Sequence, residues 1–125
     1  MKEFLAVFIG GGIGSLARYG ISKGMSGYSH TFPFATLLAN MLSCFIAGMV
    51  ISFVEQKFIS HPTVKVFLLV GFCGGFSTFS ALIRESLLMM EEDRAGPMLL
   101  YNLLSIILGL VAILSGVWLG KILVR

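Results

Sequence analysis

Long stretches without charge limit what this chain can fold into more than any other feature. Residues 31–54, 66–83 and 95–120 carry no Asp, Glu, Lys or Arg, and residues 4–21 are interrupted only by Arg18. A helix needs roughly 20 mostly apolar residues to cross a bilayer, so each stretch is long enough to cross once. Only 12% of the 125 residues are charged and 57% are hydrophobic, with a mean hydropathy of +0.96. Soluble domains carry about a quarter charged residues. One of this length has too high a surface-to-volume ratio to bury so much apolar side chain. The expected fold class is an all-α membrane protein: one domain over residues 1–125, built from four transmembrane helices joined by short loops.

Several other classes are excluded by position and spacing. The net charge of +3 comes from basic residues scattered at span ends, with no aromatic-interleaved patch to follow a phosphate backbone. Cys44 and Cys73 both lie inside spans without a CxxC partner or a nearby His, so they read as small buried hydrophobes. His30 and His61 fall in loops and are expected to be solvated. Lys2 followed by an apolar run imitates a secretory signal. Three further spans and the glycine-rich character of the first mark it instead as a retained helix. Four crossings place both termini on one side with Lys2, Lys57, Lys65, Lys121 and Arg125, against Lys23 and Arg94, plus Arg18 and Arg84 if helix-embedded residues are counted. This bias favours termini inside, but it is weak for a signal that sets orientation, and insertion in both orientations is the alternative.

Within the spans, glycines and polar residues carry the information. Gly10 and Gly14, Gly71 and Gly75, and Gly116 and Gly120 form GxxxG pairs, the spacing that brings helix backbones close in lipid. Any single pair is explained by packing within the chain; seams on several helices favour an oligomer. Thr36, Asn40 and Ser43 share a face of the second span, and Tyr101, Ser105 and Gly109 share one of the fourth, with Asn102 beside them. Polar groups at such depth are costly and mark pathways or interhelical bonds. Asn40 stands out because its amide offers two N–H donors. Arg18 lies towards the end of its stretch, where it either snorkels or makes an electropositive vestibule. The acidic residues Glu3, Glu55, Glu91, Glu92 and Asp93 are terminal or in loops, and Glu85 is expected to flank the third span. That sign asymmetry favours an anion as the permeant species. Residues 71–80, Gly-Phe-Cys-Gly-Gly-Phe-Ser-Thr-Phe-Ser, are a poor helix in the middle of a span. The third helix is expected to break there, which is tolerated only inside protein or beside an aqueous cavity.

Three of these segments, in order along nearly the whole chain, resemble the Fluc (CrcB) family of small fluoride channels. They are Gly11 to Tyr19 (GGIGSLARY), Thr36 to Asn40 (TLLAN) and Gly71 to Ser80 (GFCGGFSTFS). The resemblance implies an antiparallel, dual-topology dimer in the bacterial plasma membrane that exports fluoride down its gradient and relieves fluoride toxicity. It also implies a structural Na+ at the dimer centre, held by the backbone carbonyls of Gly74 and Ser77. Position by position, Asn40 is similar to the pore asparagine and Phe79 to the first phenylalanine of an anion-lining pair. Thr36, Ser43, Ser80, Tyr101 and Ser105 would supply the polar pathway, Arg18 the vestibule arginine and Glu85 a glutamate near the pore mouth. The second phenylalanine is replaced by Leu82, which leaves open a homodimer or a pairing with a homologous subunit.

Two other functions fit a small four-helix chain. A proton-coupled multidrug exporter needs a membrane-embedded carboxylate, and the first span has only Arg18, of the wrong sign. A non-transporting assembly subunit would explain the glycine seams but not Asn40 and Phe79. No nucleophile–base pair or metal cluster supports an enzyme.

Overall fold

The computed structural model describes residues 1–28 and 31–124; His30 and Arg125 lie outside the described residues. Among these the chain is helical: α1 (Lys2–Gly24), α2 (Phe34–Glu55), α3 (Pro62–Val66), a π-helical segment (Phe67–Cys73), α4 (Gly74–Phe76), α5 (Phe79–Glu91) and α6 (Ala95–Leu123). α1, α2 and α6 are each one candidate membrane span, and the pieces from Pro62 to Glu91 together make the third. The four expected spans are present. The third extends beyond the charge-free stretch that announced it, so that Arg84 and Glu85 lie within α5.

Packing divides the spans into two pairs. α1 lies along α3, the π-helical segment and α4, while α2 lies along α6. Glycines set both approaches. A Cβ on Gly10 would stand 3.0 Å from Phe72 N, one on Gly14 2.8 Å from Phe76 N, and one on Gly71 3.1 Å from Gly10 Cα. In the other pair a Cβ on Gly48 would stand 2.9 Å from Val117 N, and one on Gly116 3.1 Å from Met49 N. Gly120 is equally tight against Ser52. All three GxxxG pairs are therefore spent on contacts within the chain, and the oligomer expected from them has to rest on other surfaces. Without a driving force from water, helices in lipid are held by such close backbone contact.

α5, beyond the break, leaves α1 and packs against α6. There Leu37, Leu82, Met89 and Tyr101 form the buried apolar cluster, with Phe32, Met41, Met98 and Leu108 around it. The break is what lets one span serve both pairs. Side chains such as Phe4 and Phe8 on α1, and Leu103, Ile106, Leu110 and Leu114 on α6, point outward and exposed, as the hydrocarbon of a bilayer requires. His61, as expected, is exposed in its loop. Two helix ends turn sharply on non-glycine residues, Lys57 after α2 (φ 60°) and Asp93 after α5 (φ 56°). In each, an N–H closes back five residues, Phe58 to Phe53 O at 2.9 Å and Arg94 to Met89 O at 2.8 Å. This left-handed C-terminal cap normally uses glycine.

Candidate functional site

Backbone hydrogen-bond accounting defines the site. α4 ends at Phe76 and α5 begins at Phe79; between them Ser77 (ψ 158°) and Thr78 (φ −152°, ψ 115°) are extended. Every main-chain group freed there must find another partner inside a membrane. Asn40, from the neighbouring α2, takes both sides of one peptide residue. Its Oδ1 accepts from Thr78 N at 2.7 Å and its Nδ2 donates to Thr78 O at 3.3 Å. Thr78 in turn caps α5, its Oγ1 accepting from Ala81 N at 3.2 Å.

The carbonyls on the α4 side are served unevenly. Cys73 O accepts from Ser43 Oγ (2.8 Å), Ser77 Oγ (3.0 Å) and Ser77 N (3.0 Å). Gly75 O accepts from Arg18 Nε at 3.2 Å and Ser15 Oγ at 3.5 Å. Arg18 is thus tied to the break by its Nε rather than simply reaching for the interface. Gly74 O and Ser77 O fare differently. In a continuous helix they would accept from Thr78 N and Ala81 N, four residues on. Those two donors are taken by Asn40 Oδ1 and Thr78 Oγ1. Gly74 is itself exposed.

A second polar cluster stands further along α5. Glu85 Oε1 accepts from Thr36 Oγ1 and Oε2 from Tyr101 Oη, each at 2.7 Å. Thr36 and Tyr101 are buried, Tyr101 at 0% exposure. Glu85 does not merely flank the third span, as the sequence suggested, but is a half-buried carboxylate within it, tied to α2 and α6. The helix runs on through the charge because hydroxyls of two other spans meet both oxygens. On the next residue, Asn102 Nδ2 donates to Ser86 Oγ and to Met98 O, each at 2.9 Å, while Ser86 Oγ donates to Leu82 O. Beyond Glu85 opens a cavity of about 340 Å³ lined by Thr36, Glu85, Arg84, Glu92 and Arg94 among others.

Of the residues singled out in the sequence, Asn40, Ser43 and Ser77 meet at the break, with Gly75 O anchoring Arg18. Thr36 and Glu85 meet at the cavity wall, with Tyr101 buried behind them and bonded to Glu85. Ser105 Oγ donates to Tyr101 O on its own helix at 2.7 Å. Phe79 and Ser80 are exposed on the outer surface of the single chain, Phe79 at 75%, whereas Leu82 is buried at 8% within the apolar cluster. Phe79 and Leu82 therefore stand in different surroundings, although three residues on a helix put side chains on neighbouring faces. The sequence reasoning missed the clasp on Thr78, the Asn102–Ser86 bond and the cavity charges Arg84 and Arg94. The adjacent Arg84-Glu85 pair was a signal: at about 100° per residue the two side chains leave the helix in different directions, so one can turn towards the neighbouring spans while the other faces out.

A family model described as CrcB-like protein, Camphor Resistance (CrcB), matches residues 5–117, which include both polar clusters. The chain belongs to the CrcB family. Among its relatives are proteins named "Fluoride-specific ion channel FluC". One from Bacteroides fragilis is 39% identical over 125 residues, covering 97% of this chain and 98% of the relative. Another, from Desulfotalea psychrophila, is 41% identical over 122 residues, covering 97% and 94%. A third, from Flavobacterium psychrophilum, is 35% identical over 122 residues, covering 97% and 98%. The CrcB match runs across all four spans, so the broken third span and its Asn40 clasp belong to the matched region.

Proposed function

We propose that this chain is a fluoride-selective channel, not an enzyme, through which F⁻ leaves the cell passively and fluoride toxicity is relieved. The observation that carries the reading is full-length similarity to proteins named as fluoride channels, spanning a broken third helix ringed by donors. Fluoride is small and strongly hydrated, and stripping its water at low dielectric costs tens of kcal/mol if nothing replaces it. Hydrogen bonds to a charged group each return roughly 1.5–3 kcal/mol, so several donors must be met in turn. Asn40 has a second N–H on Nδ2 besides the one given to Thr78. Ser80 adds a hydroxyl and Phe79 a positive ring edge, while Thr36, Ser43, Tyr101 and Ser105 donate to the ion only by turning their single O–H away from Glu85, Cys73 O, Glu85 and Tyr101 O respectively. Leu82 supplies shape but no such edge.

The working unit in this reading is two copies in opposite orientation in the plasma membrane, or this chain with a homologous subunit. Phe79, Ser80 and Gly74 are exposed beside an interrupted backbone, and such a surface is not left facing lipid. Na+ fits the same place. Carbonyl oxygens suit a hard cation, and Gly74 O and Ser77 O are the two whose helical donors go to side chains. The ion would supply positive charge and tie the broken segments together, with a second copy providing further ligands.

Glu85 revives one rival, since it is the embedded carboxylate that a proton-coupled drug exporter needs. The two readings separate in proteoliposomes holding the purified chain. The channel reading expects fluoride to escape down its gradient while chloride stays, with no dependence on an imposed proton gradient. Equal passage of chloride, or proton-driven export of an organic cation with fluoride retained, would overturn it.

A further inference from the structure

Not every charge on the wall of the cavity beyond Glu85 has a partner. Four charged side chains line it: Arg84, Glu85, Glu92 and Arg94. Three are committed. Glu85 is held by Thr36 and Tyr101. Glu92 Oε2 pairs with Arg94 Nη1 at 3.1 Å, and Arg94 Nη2 donates to Thr31 O. Arg84 is exposed and has no hydrogen bond or ion pair among the described residues. It also sits about two turns inside the end of α5, where an arginine must reach water rather than lipid. The cavity wall gives it that water.

We propose that Arg84 is the anion-capturing group of this mouth, raising the local fluoride concentration next to Thr36 and Glu85. The inference rests on the fluoride-channel reading and adds to it a residue that sets capture. Arg18 is the other span arginine, but its Nε is spent on Gly75 O at the break, and it does not line this cavity. Arg94 is largely neutralised by Glu92. Glu85, accepting two hydroxyl hydrogen bonds, would on its own repel fluoride from the entrance. Arg84, on the adjoining residue, opposes that repulsion through water. The interaction is therefore long-range and screened by salt, unlike a hydrogen bond at a fixed site.

A unit charge about 8 Å away in water-like surroundings changes local ion concentration roughly two- to threefold at low ionic strength. The Debye length falls from ~30 Å at 0.01 M to ~3 Å at 1 M, so the effect should vanish across that range. The test is fluoride efflux from proteoliposomes in an impermeant salt, with wild type, Arg84→Gln and Arg84→Lys compared. The expected result is a two- to threefold slower efflux for Arg84→Gln at low ionic strength, convergence with wild type at high ionic strength, and wild-type rates for Arg84→Lys. Equal rates for Arg84→Gln and wild type at low ionic strength would overturn the proposal. So would a deficit that persists at high salt, or an Arg84→Lys as slow as Arg84→Gln, because either points to shape rather than charge. Because Arg84 makes no hydrogen bond or ion pair among the described residues, each variant should elute and melt as wild type does. A wild-type chain that passes no fluoride would instead refute the channel reading beneath the proposal.

Discussion

Replacing Gly14 by alanine tests the interior seam on which the site hangs. A Cβ at Gly14 falls on the Phe72 carbonyl and stands 2.8 Å from Phe76 N and 3.1 Å from Gly75 C. Nonbonded heavy atoms rest at about 3.5 Å, so α1 must retreat from the third span by about 0.7 Å or more. All the atoms met are backbone, and no side chain can swing aside. Overpacking of this kind costs about 1–3 kcal/mol, against a gain of ~1 kcal/mol from alanine's higher helix propensity. Gly12→Ala on the same helix is the control: nothing lies within 4 Å of its Cβ, so only the gain applies. The difference between the two variants should thus be about 1–3 kcal/mol in favour of Gly12→Ala. Denaturant unfolding of the purified chain in detergent measures it. The retreat also stretches Ser15 and Arg18 away from Gly75 O, now at 3.5 and 3.2 Å, so fluoride efflux should fall for Gly14→Ala alone. Equal stability and flux in the two variants would refute the internal seam. A Gly14→Ala chain that keeps its fold but loses only its association would place the seam between copies.

Asn40→Asp keeps an acceptor for Thr78 N but loses the donor to Thr78 O and adds negative charge; fluoride efflux should drop by ~100-fold or more while the protein still assembles. Unchanged efflux would confine Asn40 to holding the break. Leu82→Phe puts back the ring that the family resemblance leads one to expect at this position, but into a packed site. Leu82 is 8% exposed against Leu37, Met89 and Tyr101, so a ring there should cost about 1–3 kcal/mol, read as a lower melting temperature, and disturb the Tyr101–Glu85 bond. Asp93→Gly relieves a left-handed turn and should raise unfolding stability by about 1 kcal/mol; a loss would mean the Asp93 side chain has a role of its own.

Much of the architecture was determined by the sequence alone, because a bilayer imposes a one-dimensional rule. Spans must be apolar and about 20 residues long, and that pattern is local. The break was legible for the same reason: Gly74-Gly75 followed by Ser77-Thr78 is weak helix wherever it sits. Asn40 was equally visible, since a polar side chain stands out against an apolar run, whereas Phe79, one of eleven phenylalanines, was picked out only by the family resemblance. What the chain could not announce was which groups meet across spans. The GxxxG pairs could have closed on another copy or on this one, and only the interlock of Gly10 and Gly14 with Gly71 and Gly75 decides for the latter. Glu85 looked like the edge of a span until Thr36 and Tyr101, 49 and 16 residues away, satisfied both its oxygens. Asn40 and Thr78 are 38 residues apart, and their clasp depends on how α2 crosses the break. A hydrogen bond needs its partners placed within about 3 Å, and no spacing along a chain fixes that distance between separate helices. Packing does.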